Sequence, residues 1–356
     1  MILSTIDRYI GKSILGAIFA TLFALVGLSA IIKFVEQFRS IGEGTYDIWK
    51  AGAFTILTIP KDIETFFPMA ALLGGLIALG GLASRSELVV MQSAGLSRFK
   101  IALSVLKAAI PLVFLTMLMG EWGVPQSEQY ARNMRAQAFY GGAILTNKNS
   151  IWAKDGNNFV YIQRITDNTQ MHDLYIYAFN NQHKLESMTH ADSAQYVNGE
   201  WKLVDLKTST VTPDRVVTST RPNLLWKTTL TPDKLGIASL RPTSLSISGL
   251  YRYVQFMKQT GQDAKRFELT FWQKIFQPIT VSIMMLLALS FIFGQLRGVS
   301  AGARIVTGIC FGFLFYVINE VVSRMSLIYN ISPVVGAIIP SIFFVGVIWW
   351  LLHKKS

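Results

Sequence analysis

The residue patterns that could support catalysis or nucleotide binding each lack a necessary part. Gly11-Lys12-Ser13 matches the end of a phosphate-binding loop, but Ile6 stands where that loop requires glycine. Gly298-Val-Ser-Ala-Gly302 matches the nucleophile elbow of hydrolases, yet it lies in a short loop between apolar runs, without the strand that the elbow needs. The histidines have no metal-ligand spacing: His172, His183, His190 and His353. The sequence therefore predicts no catalytic residue, no cofactor-binding residue and no metal ligand.

Four basic residues at the ends of apolar runs favour a different chemistry, the binding of an anionic amphiphile: Lys33, Lys61, Arg132 and Arg135. Lysine offers phosphate a point charge and arginine a bidentate fork. The alternative is interfacial snorkelling, in which a long stem carries the charge to water. Asp62 and Glu64 could also neutralise Lys61, so the sequence favours Lys33 over Lys61 as a binding residue.

Six apolar runs must position these cations. The chain has 356 residues, of which 51% are hydrophobic, and its mean hydropathy is +0.39. A helix crosses the hydrocarbon core with about 20 residues. The predicted spans are Ile10 to Phe34, Ala53 to Leu82, Ile101 to Met119, Ile275 to Phe293, Ile305 to Val322 and Val334 to Leu352. We therefore expect a polytopic α-helical membrane protein with six transmembrane helices.

The net charge of +12 follows the membrane topology instead of marking a nucleic-acid-binding face. With the N-terminus inside, the inner flanks hold Arg8, Lys12, Arg85, Arg98, Lys100, Arg297, Arg304, Lys354 and Lys355. The short outer loops hold only Arg39, Lys50 and Arg324. This asymmetry predicts that both termini are cytoplasmic and that residues 121–271 lie on the opposite side of the membrane.

The segment between the third and fourth spans is rich in β-forming residues. Strands are expected at Phe159–Ile162, Leu174–Phe179, Val211–Val217 (interrupted by Pro213) and Trp226–Leu230, and Asn198-Gly199 predicts a hairpin. We expect an all-β domain at about 140–240, either a sandwich or an open roll. A helix at 246–259 then leads to the fourth span. The single cysteine, Cys310, excludes an internal disulfide.

The predicted domains are therefore 1–120 with three spans, 121–271 with the β domain, and 272–356 with three spans. Within the second span, Pro60 predicts a helix start or kink. Ala70, Gly74 and Ala78 recur every four residues, which favours close packing on a neighbouring helix.

The cytoplasmic segment at about 84–97 is predicted to be a short helix. Ser84-Arg85-Ser86-Glu87 matches a capping box and Gly95 is suited to end the helix. Its role is either that of an amphipathic connector or that of a docking helix for a cytoplasmic protein.

Several stretches resemble the LptF/LptG family of lipopolysaccharide-export permeases. They are Asp7–Lys12, Ile59–Asp62, Phe66–Ala71, Ser84–Gln92, Trp152–Phe159 and Lys274–Pro278. The resemblance runs through nearly the whole chain. Trp152–Phe159 and Glu121-Trp122-Gly123 favour the LptG branch over the LptF branch.

The resemblance implies six spans with an inserted periplasmic β-jellyroll-like domain, in the inner membrane of a Gram-negative bacterium. It implies partnership with LptF, a dimer of the ATPase LptB that holds the ATP and Mg, LptC, and the periplasmic bridge protein LptA. Lipopolysaccharide would be extracted from the inner membrane and passed to that bridge. The residues placed at its head group by this likeness are Lys33, Lys61, Arg132, Arg135, Phe66 and Phe67. Those placed on the ATPase-coupling helix are Glu87, Arg85, Leu88 and Met91.

Three other functions remain open on the sequence alone. One is the sister subunit LptF, and another is a mechanotransmitting permease that moves no lipid through its own spans. The third is a membrane enzyme acting on lipid, which would need a polar catalytic cluster that the sequence does not display.

Overall fold

A computed structural model describes residues 4–140, 151–293 and 299–353, apart from 168, 181, 183, 198, 229 and 233–241. His183, Asn198, Arg297, Gly298, Lys354 and Lys355 therefore lie outside the described residues, as do parts of the expected β domain. The described helices are α1 (Thr5–Gln37), α2 (Ile48–Ser84), α3 (Glu87–Ser93), α4 (Arg98–Leu118), α5 (Val124–Tyr140), α6 (Ile247–Gln259), α7 (Lys265–Phe293), α8 (Ala301–Ile328) and α9 (Pro333–His353).

Six helical segments are long and apolar enough to cross a membrane. They are Thr5–Ser40, Ile48–Ser84, Arg98–Phe139, Lys265–Phe293, Ala301–Ile328 and Pro333–Leu351. Each contains most of one predicted apolar run, so the prediction of six membrane helices is confirmed. The third segment is longer than expected, because a π-helical turn at Met119–Gly123 joins α4 to α5 without a break.

The second span contradicts the helix start predicted at Pro60. The helix α2 continues through both Pro60 and Pro68. Each proline removes one backbone donor, but the residues around it keep helical geometry and the apolar helix is packed on several sides, with 72% of its most hydrophobic window buried.

Small residues on α2 bring neighbouring helices into close contact, as predicted. A Cβ added to Gly74 would lie 2.7 Å from the backbone of Ile18 on α1, and one added to Gly75 would lie 3.0 Å from Ala288 on α7. The hydroxyl of Thr21 donates to the carbonyl of Ala70 over 3.2 Å. The helix α2 is thus the central element of the membrane part.

The β domain is built on one antiparallel sheet of six described strands. They are β1 (Ile151–Asp155), β2 (Asn158–Asp167), β3 (Gln170–Phe179), β4 (Leu185–Val197), β5 (Glu200–Val211) and β6 (Val216–Trp226), and each pairs with its neighbours in sequence. Val197 pairs with Glu200, so the predicted hairpin is confirmed. This arrangement fits the open roll among the two predicted alternatives.

The interruption predicted at Pro213 is confirmed, since residues 212–215 form the turn between β5 and β6. The strand predicted at 226–230 is wrong in its bounds. Trp226 is the last residue of β6, and the described residues after it, 227, 228 and 230, lie in no strand. Leu230 instead accepts a hydrogen bond from the buried indole of Trp201 over 2.7 Å.

One face of the sheet forms the core of the β domain. It includes Val160, Ile162, Leu174, Ala191 and Leu203, which are all nearly inaccessible to solvent. The apolar face of α6 packs on the same cluster through Val254, Phe256 and Met257. Because α6 leads towards the fourth span, it connects this domain to the membrane part.

The predicted capping box at the cytoplasmic segment does not form. Ser84 is still in the last turn of α2, and its hydroxyl donates to the carbonyl of Gly81 over 2.8 Å. Ser86 precedes α3 with φ +60° and makes no side-chain cap. Gly95 follows the helix with φ +89°, as expected for a residue that ends it.

Candidate functional site

The first predicted cation, Lys33, is already paired. Its Nζ lies 2.6 Å from Oδ1 of Asp62, and the hydroxyl of Ser29 donates to the other carboxylate oxygen over 3.2 Å. The Lys33 side chain is 30% exposed and that of Asp62 only 8%. Lys33 is therefore not the free charge that the sequence favoured.

Lys61 takes part in a denser cluster, which joins three parts of the chain. Its Nζ lies 3.0 Å from Oε2 of Glu64 and donates to the backbone carbonyl of Thr243 over 2.6 Å. Lys274 on α7 reaches the other carboxylate oxygen of Glu64 over 2.7 Å. The acidic neighbour that neutralises Lys61 is thus Glu64 and not Asp62.

Arg132 lies on α5 and connects to the same region through Glu128. Its guanidinium lies 3.3 Å from Oε2 of Glu128, one helical turn earlier. The hydroxyl of Ser244, next to Thr243 in sequence, donates to this carboxylate oxygen over 3.4 Å. We refer to Lys61, Glu64, Glu128, Arg132, Thr243, Ser244 and Lys274 as the polar junction.

Arg135 has a different environment from the other three cations. Its guanidinium carbon lies 5.9, 5.2 and 5.0 Å from the ring centres of Tyr46, Phe54 and Phe139. Burial raises the pKa of Tyr46, so this ring stays neutral beside the cation. The Nε atom of Arg135 is buried without a hydrogen-bond partner. Arg135 therefore fixes α5 to the first outer loop by cation–π contacts.

The two predicted aromatic site residues face different surroundings. Phe67 is 1% exposed and belongs to the core of the membrane part, whereas Phe66 is half-buried. Only Phe66 is therefore accessible to a bound molecule without a rearrangement of the helices.

Glu121 is a functional residue that the sequence reasoning did not select. It lies in the π-helical turn and accepts hydrogen bonds from the backbone amides of Ile247 and Ser248, over 2.8 and 3.4 Å, and from the Ser248 hydroxyl. These are free amides of the first turn of α6, where a carboxylate is favoured. Glu121 thus connects the third span to the helix that packs on the β domain.

Lys274 was also missed, because it immediately precedes the fourth apolar run. An ionisable residue at the edge of a span normally has a partner, and that rule would have selected it. The positions of its partners on α2 depend on how two helices are rotated, which the sequence does not specify.

The predicted coupling residues lie on or just before α3 and differ in their exposure. Glu87 accepts a hydrogen bond from the hydroxyl of Tyr9 over 2.7 Å, and Arg85 lies 3.9 Å from its other oxygen. Leu88 is 3% exposed and Met91 is partly buried against the core of the membrane part. These two residues therefore support the helix from inside.

The apolar residues of α3 that face outward are Val89 and Val90, which are 44% and 63% exposed. They were not among the predicted coupling residues. Together with the carboxylate of Glu87 they form a small exposed surface, which could contact a cytoplasmic protein.

Within the part of the chain that the structure describes, no three side chains of His, Cys, Asp or Glu converge as metal ligands. What the junction offers is cationic: three basic side chains held by two carboxylates, next to apolar helices. This arrangement can bind an anion that displaces an internal carboxylate.

Comparison with known proteins shows the family. The sequence model for the lipopolysaccharide export system permease LptF/LptG matches residues 8–354. The chain belongs to the LptF/LptG permease family. It is 64% identical to the lipopolysaccharide export system permease protein LptG of Haemophilus influenzae over 355 residues, which cover 99% of each chain.

Other members of the LptF/LptG family separate the two branches. Identity to LptG of Escherichia coli K12 is 53% over 354 residues, covering 99% of this chain and 98% of that protein. Identity to LptF of the same strain is 25% over 177 residues, covering 48% and 47%. The similarity therefore favours the LptG branch, as the sequence predicted, and not the alternative of the sister subunit.

Proposed function

We propose that this chain is the permease subunit that extracts lipopolysaccharide from the inner membrane and passes it to a periplasmic bridge. The polar junction supports this function most directly. It groups Lys61 and Arg132, each on a carboxylate partner, among apolar helices, and Phe66 on α2 is half-buried. Such a surface suits a lipid whose phosphorylated sugars and acyl chains must be held together.

The energy for this step comes from a partner. Transfer of acyl chains out of the bilayer costs about 0.8 kcal/mol for each methylene. Several chains together therefore need an external source, and the sequence contains no complete nucleotide-binding motif. We propose that a dimer of the ATPase LptB binds ATP and Mg and acts on α3 through Glu87, Val89 and Val90.

The remaining partners follow from the family. Members of the LptG branch are expected to pair with LptF, to recruit LptC and to deliver lipid to LptA. The α1 and α8 spans are suited to contact LptF or substrate, because only 17% of the most hydrophobic window of each is buried within the chain. We propose that both termini lie in the cytoplasm and the β domain in the periplasm, which the excess of basic residues on one set of flanks supports.

Reversal of charge at the proposed head-group site tests the function. Lys61→Asp combined with Arg132→Asp should abolish most release of lipopolysaccharide from proteoliposomes that contain the assembled exporter and ATP. Lys184→Asp, at an exposed position beside β4, is the matched control. Unchanged release in a fully assembled double variant would contradict the proposed role of these cations.

A further inference from the structure

The carboxylate of Glu64 is shared by two lysines that differ in access. Lys61 approaches Oε2 and has a side chain that is 19% exposed, while Lys274 approaches Oε1 and is only 7% exposed. Glu64 itself is 6% exposed. Two cations and one carboxylate leave an excess positive charge at this site.

The inner pair of this cluster, Glu64 and Lys274, is held in place by neighbouring residues. Gln277, one turn after Lys274 on α7, donates to the backbone carbonyl of Glu64 over 3.1 Å. A Cβ added to Gly120, in the π-helical turn, would lie 3.0 Å from Oε1 of Glu64 and 3.9 Å from Nζ of Lys274. The backbone of the third span therefore holds this carboxylate against Lys274.

The contacts of Lys61 are easier to exchange. Apart from Glu64, its ammonium group binds the neutral carbonyl of Thr243. An anion that takes Lys61 would leave Glu64 with Lys274 as its counter-charge. Removal of the last partner of a buried charge is costly, whereas loss of one of two partners is not.

Lys33 provides an internal comparison. Among the residues that the structure describes, Asp62 has one cationic partner, Lys33, and otherwise only the hydroxyl of Ser29. An anion that withdraws Lys33 would leave the carboxylate of Asp62 buried without a counter-charge. Lys33 is therefore the less exchangeable of the two lysines.

We propose that Lys274 is a positioning residue that retains Glu64 and thereby makes Lys61 available to a phosphate group of the transported lipid. This inference rests on the proposed function, because it assumes that the substrate carries phosphate. Without Lys274, Glu64 would hold Lys61 as its only counter-charge, and Lys61 would no longer discriminate in favour of phosphorylated lipid.

The test compares the binding of bis-phosphorylated lipid A with that of its dephosphorylated form to the assembled exporter in nanodiscs. The dissociation constant of the dephosphorylated form divided by that of the bis-phosphorylated form measures the preference for phosphate. Lys274→Gln should lower this ratio about tenfold, the worth of one charge-assisted hydrogen bond. Lys274→Arg should keep it, because the carboxylate retains a cation.

A double variant separates positioning from simple structural support. Lys274→Gln combined with Glu64→Gln removes the carboxylate that competes for Lys61, so the preference for phosphate should return to the value of the unaltered exporter. Lys258→Gln, at an exposed ion pair with Glu268, is the matched control and should change nothing. If Lys274→Gln alone does not assemble, the double variant still decides, since loss of the preference there would overturn the inference.

Lys61→Gln distinguishes failure of this inference from failure of the proposed function. If Lys61→Gln loses the preference while Lys274→Gln keeps it, Lys274 has no positioning role but the head-group site stands. If neither Lys61→Gln nor the charge reversal at Lys61 and Arg132 affects binding, the proposed head-group site itself is contradicted.

Discussion

Asp62 and Glu64 lie two residues apart on α2 and form ion pairs with different helices. Asp62 binds Lys33 on α1, and Glu64 binds Lys274 on α7. Residues at this spacing point to well-separated sides of a helix, so one short segment can hold two neighbours at once. The pairing also neutralises lysines that would otherwise be costly near a membrane.

A single glycine on α2 is expected to control the contact with α1. Gly74→Ala would place a methyl group 2.7 Å from the backbone of Ile18, and the backbone cannot turn aside as a flexible side chain can. Overpacking of this kind costs about 1–3 kcal/mol. This exceeds the gain of roughly 1 kcal/mol from replacing glycine by alanine in a helix. The thermal midpoint of the purified exporter should therefore fall.

Gly81→Ala on the same helix is the matched control, because an added Cβ there meets no atom within 4 Å. It should leave the midpoint unchanged or raise it. Equal midpoints for the two variants would contradict the close contact between α1 and α2.

Individual site residues could be predicted from the sequence, but their partners could not. Lysines and arginines at the ends of apolar runs are visible as residue types, and Lys61 and Arg132 do lie in one junction. Whether Asp62 faces Lys33 or Lys61 depends on the rotation of α2 relative to α1. The sequence of either helix alone does not specify this rotation. The sequence therefore could not show that Asp62 pairs with Lys33 while Glu64 pairs with Lys61.

At the level of elements, the short helix α3 has one buried side and one exposed side. Leu88 faces inward, Val89 and Val90 face outward, and the hydroxyl of Tyr9 orients Glu87. A hydrogen bond from α1 to α3 means that the docking surface and the first span are in direct contact. The seven-residue length of α3 makes this support from neighbouring helices necessary.

Glu87→Ala should weaken binding of the ATPase partner or uncouple its turnover from transport. A hydrogen bond to a charged group contributes about 1.5–3 kcal/mol, which corresponds to roughly tenfold or more in affinity. Co-purification of the subunits, followed by paired measurements of ATP hydrolysis and lipid release, checks the expectation. Glu43→Ala removes an exposed carboxylate from the first outer loop and serves as control. Intact assembly and intact coupling in Glu87→Ala would make α3 a connector only.

The elements differ in how far they could be predicted. The membrane helices were predictable because about 20 apolar residues have few alternatives to a spanning helix. The strand at 226–230 was not, because Trp226 and the threonines that follow it are typical of strands, but β6 ends at Trp226 and the carbonyl of Leu230 binds the indole of Trp201 instead. Pro60 failed as a helix boundary because contacts from neighbouring helices outweigh the loss of one hydrogen bond.

At the scale of the whole molecule, polar contacts among the described residues link the membrane part to the segment that packs on the β domain. Lys61 on α2 holds the carbonyl of Thr243, and Glu121 in the third span holds the first turn of α6. Both contacts lie just before or at the start of the helix that packs on the sheet. A movement of either span would therefore reach the β domain through α6.

The orientation of the whole molecule gives a direct prediction. In a Cys310→Ser background, Lys184→Cys in the β domain should react with a membrane-impermeant maleimide added to intact spheroplasts. Ala94→Cys, just after α3, should react only after the membrane is opened. Both positions are exposed in the structure, so access to the reagent differs only by side of the membrane. Reaction of Ala94→Cys in intact cells would reverse the proposed topology.

The uninterrupted course of α2 has a geometric consequence. Its 37 residues extend for about 55 Å, well beyond a hydrocarbon core of about 30 Å. Glu64 of the polar junction lies near the middle of this helix, about 30 Å before Ser84, where the chain turns into α3. Each residue turns an α-helix by about 100°, so a one-residue insertion between Glu64 and Ser84 would rotate the junction out of phase with α3, whereas an insertion of seven would nearly restore the angle. The number of residues in this helix therefore sets the angle between the polar junction and α3.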